Sequence, residues 1–556
     1  MQPAPMARSA LGRWQGLVLA IGCLLAFLPG LMALPPIDRD EARFVQASKQ
    51  MLETGDYVDI RFQDEHRYKK PVGIYWLQTA AVRLTGQGPE AGIWAYRLAS
   101  VAAGTVAVVT IASLGTWMFG PAVGLAAGIM LAGLFGLGFE ARLAKTDATL
   151  MAITLIGQAA LARLYIGARE GDKPERRWWW VFWLAIGAGL LVKGPITPLV
   201  SALTVAGIAI LDRDRAWLRG LRPLPGLALA LLVVLPWFVA ITLKSGGAFW
   251  AESVGKDLIG KVASGQESHG APPGYYVLTY SLYMWPFGLI AILGGLKALN
   301  RFREPRLLFC LAWYIPFWLL LEIAPTKLPH YPLPAYPALL LLGAWALLSA
   351  DGRDTPLRRW QVWFSWLTLF GLAAVTLVFA SAAAAGVPWA TGRISWQGGL
   401  AAILALTAGW LASGLGRPAM SLRRLTAAAV ASAGFIALLA AQVVPAVTPL
   451  WNSPAIARAF EAGRPCPDSV LAAVGYSEPS LVFLAGTRTV LADLEGAAAH
   501  LRAEPACGVV VLPQSERPAL VTLLGPDTAL EDMGRISGIN YSKGQAVDLV
   551  LVRRAP

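Results

Sequence analysis

The twenty residues Leu224–Leu243, LPGLALALLVVLPWFVAITL, contain no charged side chain. At about 1.5 Å per residue they make a helix roughly 30 Å long, the thickness of the hydrocarbon core of a bilayer. Arg219 and Arg222 precede the run and Lys244 follows it, as cations do at the two headgroup layers. Twelve further apolar runs lie at 14–34, 93–117, 121–139, 149–168, 178–193, 195–211, 275–297, 306–324, 331–349, 360–382, 397–414 and 425–445. The fifth and sixth spans of the chain, 178–193 and 195–211, are too long together for one crossing, and Lys193-Gly194-Pro195 supplies a natural tight turn between them. The first run leads into Leu34-Pro35-Pro36 with no small-residue cleavage site, so it reads as a retained span rather than a signal peptide.

The rest of the composition agrees. Of 556 residues, 56% are hydrophobic and 15% charged, against roughly 25% charged in a soluble domain, and the mean hydropathy is +0.54. A soluble enzyme, a disordered regulator and a disulfide scaffold are excluded. The 47 Lys and Arg against 34 Asp and Glu leave a net charge of +13, which favours anionic partners such as lipid headgroups, phosphates and polyprenyl phosphates. The cations are scattered between apolar runs, a distribution that does not point to nucleic acid.

Lys and Arg in the short loops set the orientation. With the N-terminus cytoplasmic, the inside loops 169–177, 212–223, 297–306, 351–359 and 415–424 carry eighteen, and the short outside loops 140–148, 325–330 and 383–396 carry four. Thirteen spans then leave 446–556 outside, with two long outside segments at 35–92 and 244–274. In the tail, β-rich runs (Ser469–Val474, Val509–Leu512, Ala546–Val552) alternate with helical ones (Leu494–Glu504, Glu516–Leu524), the pattern of a small α/β domain. Cys466 and Cys507 lie in this tail, where an oxidising compartment allows a disulfide; two ordinary thiols are the alternative. Cys23 and Cys310 lie in apolar runs. The expected architecture is an all-α polytopic membrane domain over 1–445, with interfacial helices in 35–92, followed by an α/β domain over 446–556.

Charge inside a bilayer is costly, so its placement is informative. The middles of the spans are nearly free of it. Polar residues collect instead at the outer ends: Asp38, Arg39, Asp40, Glu41 and Arg43; Arg142, Lys145 and Asp147; Lys193; Lys256, Lys261 and His269; Lys327, His330 and Tyr331. A transporter would carry such groups near mid-membrane on broken helices; an enzyme acting on a lipid headgroup carries them here. Asp38 and Glu41 have the spacing of a capping box opening an amphipathic helix on the interface through Val45, Ser48 and Leu52. Asp40 and Arg43, near one turn apart, can set a carboxylate and a guanidinium over one pocket. Lys70, before Pro71, reads either as an interfacial anchor or as a point charge for a phosphate. Asp147 either favours the positive start of its helix or faces Asp40 as a second carboxylate. Pro325-Thr326-Lys327-Leu328-Pro329-His330-Tyr331-Pro332 is a stiff turn that still carries Lys, His and Tyr. None of the four His (His66, His269, His330, His500) stands at a metal-ligand spacing from another, and there is no Cys cluster or phosphate loop.

Arg39-Asp40-Glu41-Ala42-Arg43-Phe44, Met51-Leu52-Glu53-Thr54-Gly55-Asp56, Tyr68-Lys69-Lys70-Pro71 and Tyr75-Trp76 resemble the first periplasmic loop of the bacterial aminoarabinose transferases. These belong with the polyprenyl-phosphate-sugar glycosyltransferases of GT-C fold that include the dolichyl-phosphate-mannose protein mannosyltransferases. Ala141-Arg142-Leu143, Thr146-Asp147 and Lys327-Leu328-Pro329-His330-Tyr331 with Pro334 match later blocks in the same order, and Gly475-Tyr476-Ser477-Glu478-Pro479-Ser480 resembles the opening motif of the periplasmic domain.

The resemblance implies an inner-membrane enzyme that moves a sugar from a polyprenyl-phosphate donor to an envelope acceptor on the periplasmic side, aminoarabinose or a related sugar to lipid A. Protein Ser/Thr or another envelope glycan is the alternative acceptor, and a sugar-lipid transporter is the rival from another class. It implies Asp40 and Asp147 as the catalytic acids, with Arg43, Lys70, Lys256 and Tyr331 about the donor phosphate. Glu41, Arg142, His269, Lys327 and His330 are further pocket candidates. Those transferases commonly carry Glu-Lys-Pro where this chain has Lys69-Lys70-Pro71, so the acidic partner of a metal contact is missing. No cofactor is assigned, and a divalent metal is left as an open alternative.

Overall fold

The computed structural model describes residues 10–171, 177–260, 270–415, 421–525 and 528–555. Each of the thirteen apolar runs contains helix, although the first, 14–34, is helical only to Phe27 and continues as turns over 28–34. The first ten helices used below are α1 (Arg13–Phe27), α2 (Asp40–Thr54), α3 (Gly73–Leu84), α4 (Ile93–Phe119), α5 (Pro121–Ala132), α6 (Phe135–Glu140), α7 (Asp147–Arg169), α8 (Arg177–Lys193), α9 (Ile196–Leu211) and α10 (Pro223–Ser245). Among the described residues six helical stretches are long and apolar enough to cross a membrane: α4, α7, Ala216–Ser245, Pro305–Ile323, Arg359–Thr391 and Leu422–Ala446. Two of them turn large apolar side chains outward. Leu224, Leu232 and Leu243 on α10, and Trp363, Trp366 and Phe370 on Arg359–Thr391, are well exposed. Apolar surface on that scale is unfavourable in water and is satisfied by lipid chains.

Small residues let the helices approach closely. Gly120, at φ 97°, ends α4, and Pro121 at once opens α5. A Cβ on Gly124 would lie 2.4 Å from the Ala112 carbonyl oxygen and 2.3 Å from the Thr116 nitrogen, so only glycine lets these two backbones touch. The turn expected at Lys193-Gly194-Pro195 is present, with Gly194 at φ 60°, and it leaves Lys193 on the last turn of α8. Two apolar runs are interrupted: 121–139 into α5 and α6, and 275–297 into Tyr275–Tyr283 and Gly288–Leu299.

The first long loop departs from its expected form. Asp38 and Glu41 do not make a capping box. Helix α2 begins at Asp40 with Arg39 as its N-cap and no side-chain cap, because both carboxylates are engaged by other segments. Nor does α2 lie on a lipid surface. Val45 packs with Val82, Tyr96, Ala144 and Phe483, and the polar residues Gln46, Ser48, Lys49 and Gln50 are buried as well. By contrast, α3 leaves Trp76, Leu77 and Leu84 exposed. A small hairpin, β1 (Arg61–Phe62) and β2 (Glu65–His66), joins the two helices.

The chain ends in a five-stranded mixed sheet of order β4-β3-β5-β7-β6, with β3 (Leu471–Val474), β4 (Val490–Ala492), β5 (Val509–Pro513), β6 (Leu530–Asn540) and β7 (Gln545–Arg554). Alternation along the strands sends Leu471, Ala473, Val509, Val511, Leu549 and Leu551 to one apolar face. Ala472, Val474, Val510, Leu512, Val550 and Val552 go to the other. Cys466 and Cys507 are bridged, and Cys23 and Cys310 are free and buried. The domain rests directly on α2, with the Gln46 amide donating to Thr487 Oγ1 at 2.8 Å and the Gln63 amide to the Thr487 carbonyl at 3.0 Å.

Candidate active site

Loop 141–146, between α6 and α7, is held from three sides. The Ala144 backbone N–H donates to Glu41 Oε1 at 2.8 Å, the Gln78 amide donates to the Ala144 carbonyl at 2.9 Å, and Ser100 Oγ donates to the Leu143 carbonyl at 2.6 Å. Ser48 in turn donates to Gln78 Oε1 at 2.6 Å. With the backbone so fixed, Lys145 and Asp147 face a cluster assembled from α2, α6, α7, α8 and the loop before Leu333. Lys145 Nζ is 3.0 Å from Glu140 Oε2 and 3.7 Å from Asp147 Oδ2. Lys193 Nζ reaches Asp147 Oδ1 at 2.5 Å, and His330 Nε2 lies 3.6 Å from the same oxygen. Tyr283 donates to Glu140 Oε1 at 3.2 Å.

Asp40 opens α2 beside this cluster. The charges that act most strongly on it are Lys145, Arg67, Asp147 and His330. Burial alone would raise its pKa, but Lys145 and Arg67 outweigh burial and the repulsion of Asp147, and hold the carboxyl below its ordinary value. Asp40 is therefore an anion at neutral pH, and it is also the solvent-accessible carboxylate of the group. His330 is driven the other way. Its burial, helped by Lys145 and Lys193 and opposed by Asp147 and Asp40, lowers its pKa to about 3, so it is a neutral imidazole. Arg67 stacks over Phe44 at 5.0 Å, and Tyr75, whose buried hydroxyl feels both Arg67 and Asp40, has no hydrogen-bond partner among the described residues. The arrangement offers one accessible carboxylate next to two lysines already drawn toward a second, buried carboxylate. It can orient a polar acceptor and neutralise charge on an oxyanion.

The candidates taken from the sequence divide into groups. Asp40, Asp147 and His330 come together, and Tyr331 joins them with its ring 5.7 Å from Lys193 Nζ. Arg43 and Lys70 are half-buried on α2 and just before α3, but neither is among the strongest charges on Asp40. Lys70 follows a loop braced by Tyr68, which donates to Asp59 Oδ1 at 2.8 Å. Lys256 is exposed on the segment Ala251–Ile259. His269 and Lys261 lie outside the described residues. Three candidates hold backbone or a buried partner instead. Glu41 pairs with Arg97, both fully buried; Arg142 donates to the Pro29 carbonyl at 3.0 Å and to those of Gly138 and Ala26; Lys327 donates to the Ala271 carbonyl at 2.9 Å and to that of Ala324. Sequence reasoning passed over Arg67, Tyr75 and Glu140. It counted Lys145 and Lys193 among outer-end cations without assigning them to the pocket, although a lone charge at the end of an apolar run was the available signal.

The resemblance placed an acid at the position of Lys69, and the residue present there does not suit a metal. Lys69 is exposed there, and an ammonium has no lone pair to donate. Among the described residues no three His, Cys, Asp or Glu are grouped to hold one.

Comparison with known proteins gives the same family as the motifs. Residues 69–239 match the family described as dolichyl-phosphate-mannose-protein mannosyltransferase, a stretch that includes Lys70, Lys145, Asp147 and Lys193. The chain is 20% identical, at a TM-score of 0.75, to the crystal structure of ArnT from Cupriavidus metallidurans bound to undecaprenyl phosphate, over 97% of this chain and 98% of that one, a likeness of fold. It is 30% identical over 404 residues to the undecaprenyl phosphate-alpha-4-amino-4-deoxy-L-arabinose arabinosyl transferase of Aeromonas salmonicida, covering 70% of this chain and 69% of the relative. The enzyme of the same name from Aeromonas hydrophila is 31% identical over equal coverage, and on that extent of likeness the chain belongs to the undecaprenyl phosphate-aminoarabinose arabinosyl transferases, glycosyltransferases of GT-C fold.

Proposed function

We propose that this chain transfers 4-amino-4-deoxy-L-arabinose, or a closely related sugar, from undecaprenyl phosphate to lipid A at the outer face of a bacterial inner membrane. In this reading residues 1–445 cross the membrane thirteen times with the N-terminus cytoplasmic, and residues 446–556 form a periplasmic domain. The charge asymmetry of the short loops and the outward apolar faces of α10 and Arg359–Thr391 support it. The observation that carries the function is the convergence of Asp40, Lys145, Asp147, Lys193 and His330 from separate elements.

In the reaction the anomeric carbon–oxygen bond to the donor phosphate breaks and its electron pair stays on that oxygen. The acceptor oxygen bonds to the same carbon, and polyprenyl phosphate leaves with one more negative charge. Lys145 and Lys193 stand in the cluster to meet that charge, Tyr331 lies against Lys193, and Arg43, Lys70 and Lys256 are the further donor-phosphate contacts that the family resemblance implies. Asp147 holds the two lysines at fixed positions before donor arrives, so little reorganisation is needed at the transition state. Asp40 orients the acceptor. A phosphate acceptor is already anionic and needs no base; a hydroxyl acceptor, on protein or another glycan, would give its proton to Asp40. No metal-dependent step is invoked. Reconstituted with undecaprenyl phosphate-aminoarabinose and lipid A, the protein should yield lipid A heavier by one aminoarabinose residue on mass spectrometry. Asp40→Asn, which loses the charge that orients the acceptor, should lower turnover about a hundredfold. Turnover in Asp40→Asn within threefold of the parent overturns the role given to this site.

A further inference from the structure

The residue before Asp40 has an unusual backbone. Arg39 lies at φ 69°, ψ −105°, in the positive-φ region that a side chain with a Cβ rarely adopts. Such a conformation persists only where its surroundings over-determine it, and it is found where a reactive group must be aimed. Here the surroundings belong to the C-terminal domain, some five hundred positions along the chain. The Asp38 backbone N–H donates to the Tyr541 hydroxyl at 2.8 Å. The Ser480 backbone N–H donates to Asp38 Oδ1 at 3.0 Å, and the Arg39 guanidinium donates to the Ser542 carbonyl. Glu41, beyond Arg39 in the chain, reaches back over it and accepts from the Ile37 N–H at 3.0 Å. Residues 37 to 39 are therefore tied at both ends, and Asp40 is the first residue released into α2.

The ties are firmly based. Tyr541 occupies the turn between β6 and β7, and its ring packs edge-on against Trp451 at 5.9 Å. Asn540 Oδ1 accepts from the N–H groups of Ser542 and Lys543 at 3.1 and 3.3 Å. The Asn540 amide donates to Glu478 Oε1 at 2.7 Å, which links the turn to the segment that carries Ser480. Ser480 Oγ donates to Ser453 Oγ at 2.6 Å. Asp38 itself is buried between these elements.

We infer that Asp38 and Tyr541 are positioning residues: through them the docked C-terminal domain maintains the Arg39 backbone and so aims the Asp40 carboxylate into the active site. The domain is on this account a working part of the catalytic centre, although it contributes no group to the reacting atoms. The inference rests on the proposed role of Asp40.

The test uses the full-length protein in lipid, with kcat and KM measured for undecaprenyl phosphate-aminoarabinose and lipid A. Tyr541→Phe removes only the hydroxyl that accepts from Asp38. Asp38→Ala removes the acceptor for Ser480, and Asp38→Asn keeps it. Tyr541→Phe and Asp38→Ala should each lower kcat about five- to tenfold, the worth of one hydrogen bond, with KM for the donor within twofold and the melting temperature within a few degrees. Asp38→Asn should restore most of the loss. Parental kcat in both Tyr541→Phe and Asp38→Ala overturns the inference, as does a rise in donor KM that accounts for the whole effect. Should Asp38→Ala fold poorly, Tyr541→Phe decides alone. Asp40→Asn, run alongside, keeps the two ideas apart: if it is inactive while the clasp variants are normal, only the inference fails; if it is active, the reading of the site fails first.

Discussion

Arg97 and Glu41 make the strongest prediction about what the first loop is for. Both are fully buried. Arg97 Nε and Nη2 donate to the two Glu41 oxygens at 2.8 and 2.9 Å, and Nη1 and Nη2 donate to the carbonyls of Leu31, Leu34 and Pro35 at 2.8, 2.6 and 3.0 Å. All the donors of the guanidinium are thereby satisfied, and Glu41 accepts two further backbone N–H groups, from Ile37 and Ala144. One ion pair thus fastens the chain after α1, the start of α2, α4 and the loop carrying Lys145. Glu41→Gln or Arg97→Met would leave the partner charge buried and uncompensated, at about 3–5 kcal/mol, and the three carbonyls stripped in Arg97→Met push that variant to the upper end or beyond. At roughly 2 °C per kcal/mol for a large domain, the melting temperature in detergent should fall by at least about 6 °C in either variant. The double variant Arg97→Met/Glu41→Gln should lose less than the sum of the singles, because no bare charge remains. A Glu41→Gln protein that melts with the parent but has lost turnover would refute this reasoning and return Glu41 to the chemistry.

Two further outcomes follow from the C-terminal domain. Burial raises the pKa of Asp38 from its ordinary value to about 6, with Glu478 adding to the rise and Ser480 and Tyr541 opposing it. Between pH 3.8 and about 6 the folded chain then binds more protons than the unfolded one, so this group's contribution to stability is full below that window and is lost as pH rises through it, by about 3 kcal/mol in all. The melting-temperature difference between parent and Asp38→Asn should shift across pH 4–6 and be flat above pH 7; a difference independent of pH would contradict it. The Cys466–Cys507 bridge closes a loop of 41 residues, for which chain entropy gives about 4 kcal/mol. Unreduced, denatured protein should alkylate at two thiols, Cys23 and Cys310, and four labelled thiols would exclude the bridge.

The fold was legible where one physical term dominates. An isolated run of twenty uncharged residues such as Leu224–Leu243 satisfies its backbone in lipid as a helix, and α10 is one. Length and hydropathy say nothing of interruptions, however, and the breaks at Gly133 and around Trp285-Pro286 went unseen. In the tail, β5 and β7 have the unbroken apolar runs of a sheet covered on both faces. β6 does not: LEDMGRISGIN carries two glycines and three charged side chains because it lies at the sheet edge, where pairing with β7 rather than burial defines it. Helix α2 was misplaced for a related reason. Its amphipathic period fits a lipid surface equally well, and nothing local discloses that its polar side is covered by Thr487 and its neighbours.

The same distinction runs through the site. Asp40, Asp147 and His330 were drawn together from distant segments because each stands at the outer end of an apolar run, within blocks that resemble one family. A cation whose partners are backbone carbonyls leaves no trace of them in the sequence, since every residue has a carbonyl. Arg142 and Lys327 are of that kind: long donors folded back on the ends of helices, indistinguishable in the sequence from phosphate ligands. The structure separates them by satisfaction. Their donors are taken by main chain, whereas among the described residues Lys145 and Lys193 are held by carboxylates and an aromatic face. Carboxylates set two cations at fixed positions while leaving room for an anionic ligand to share them, and a carbonyl clasp does not. Among these four residues, the phosphate should therefore fall to the pair that Asp147 restrains.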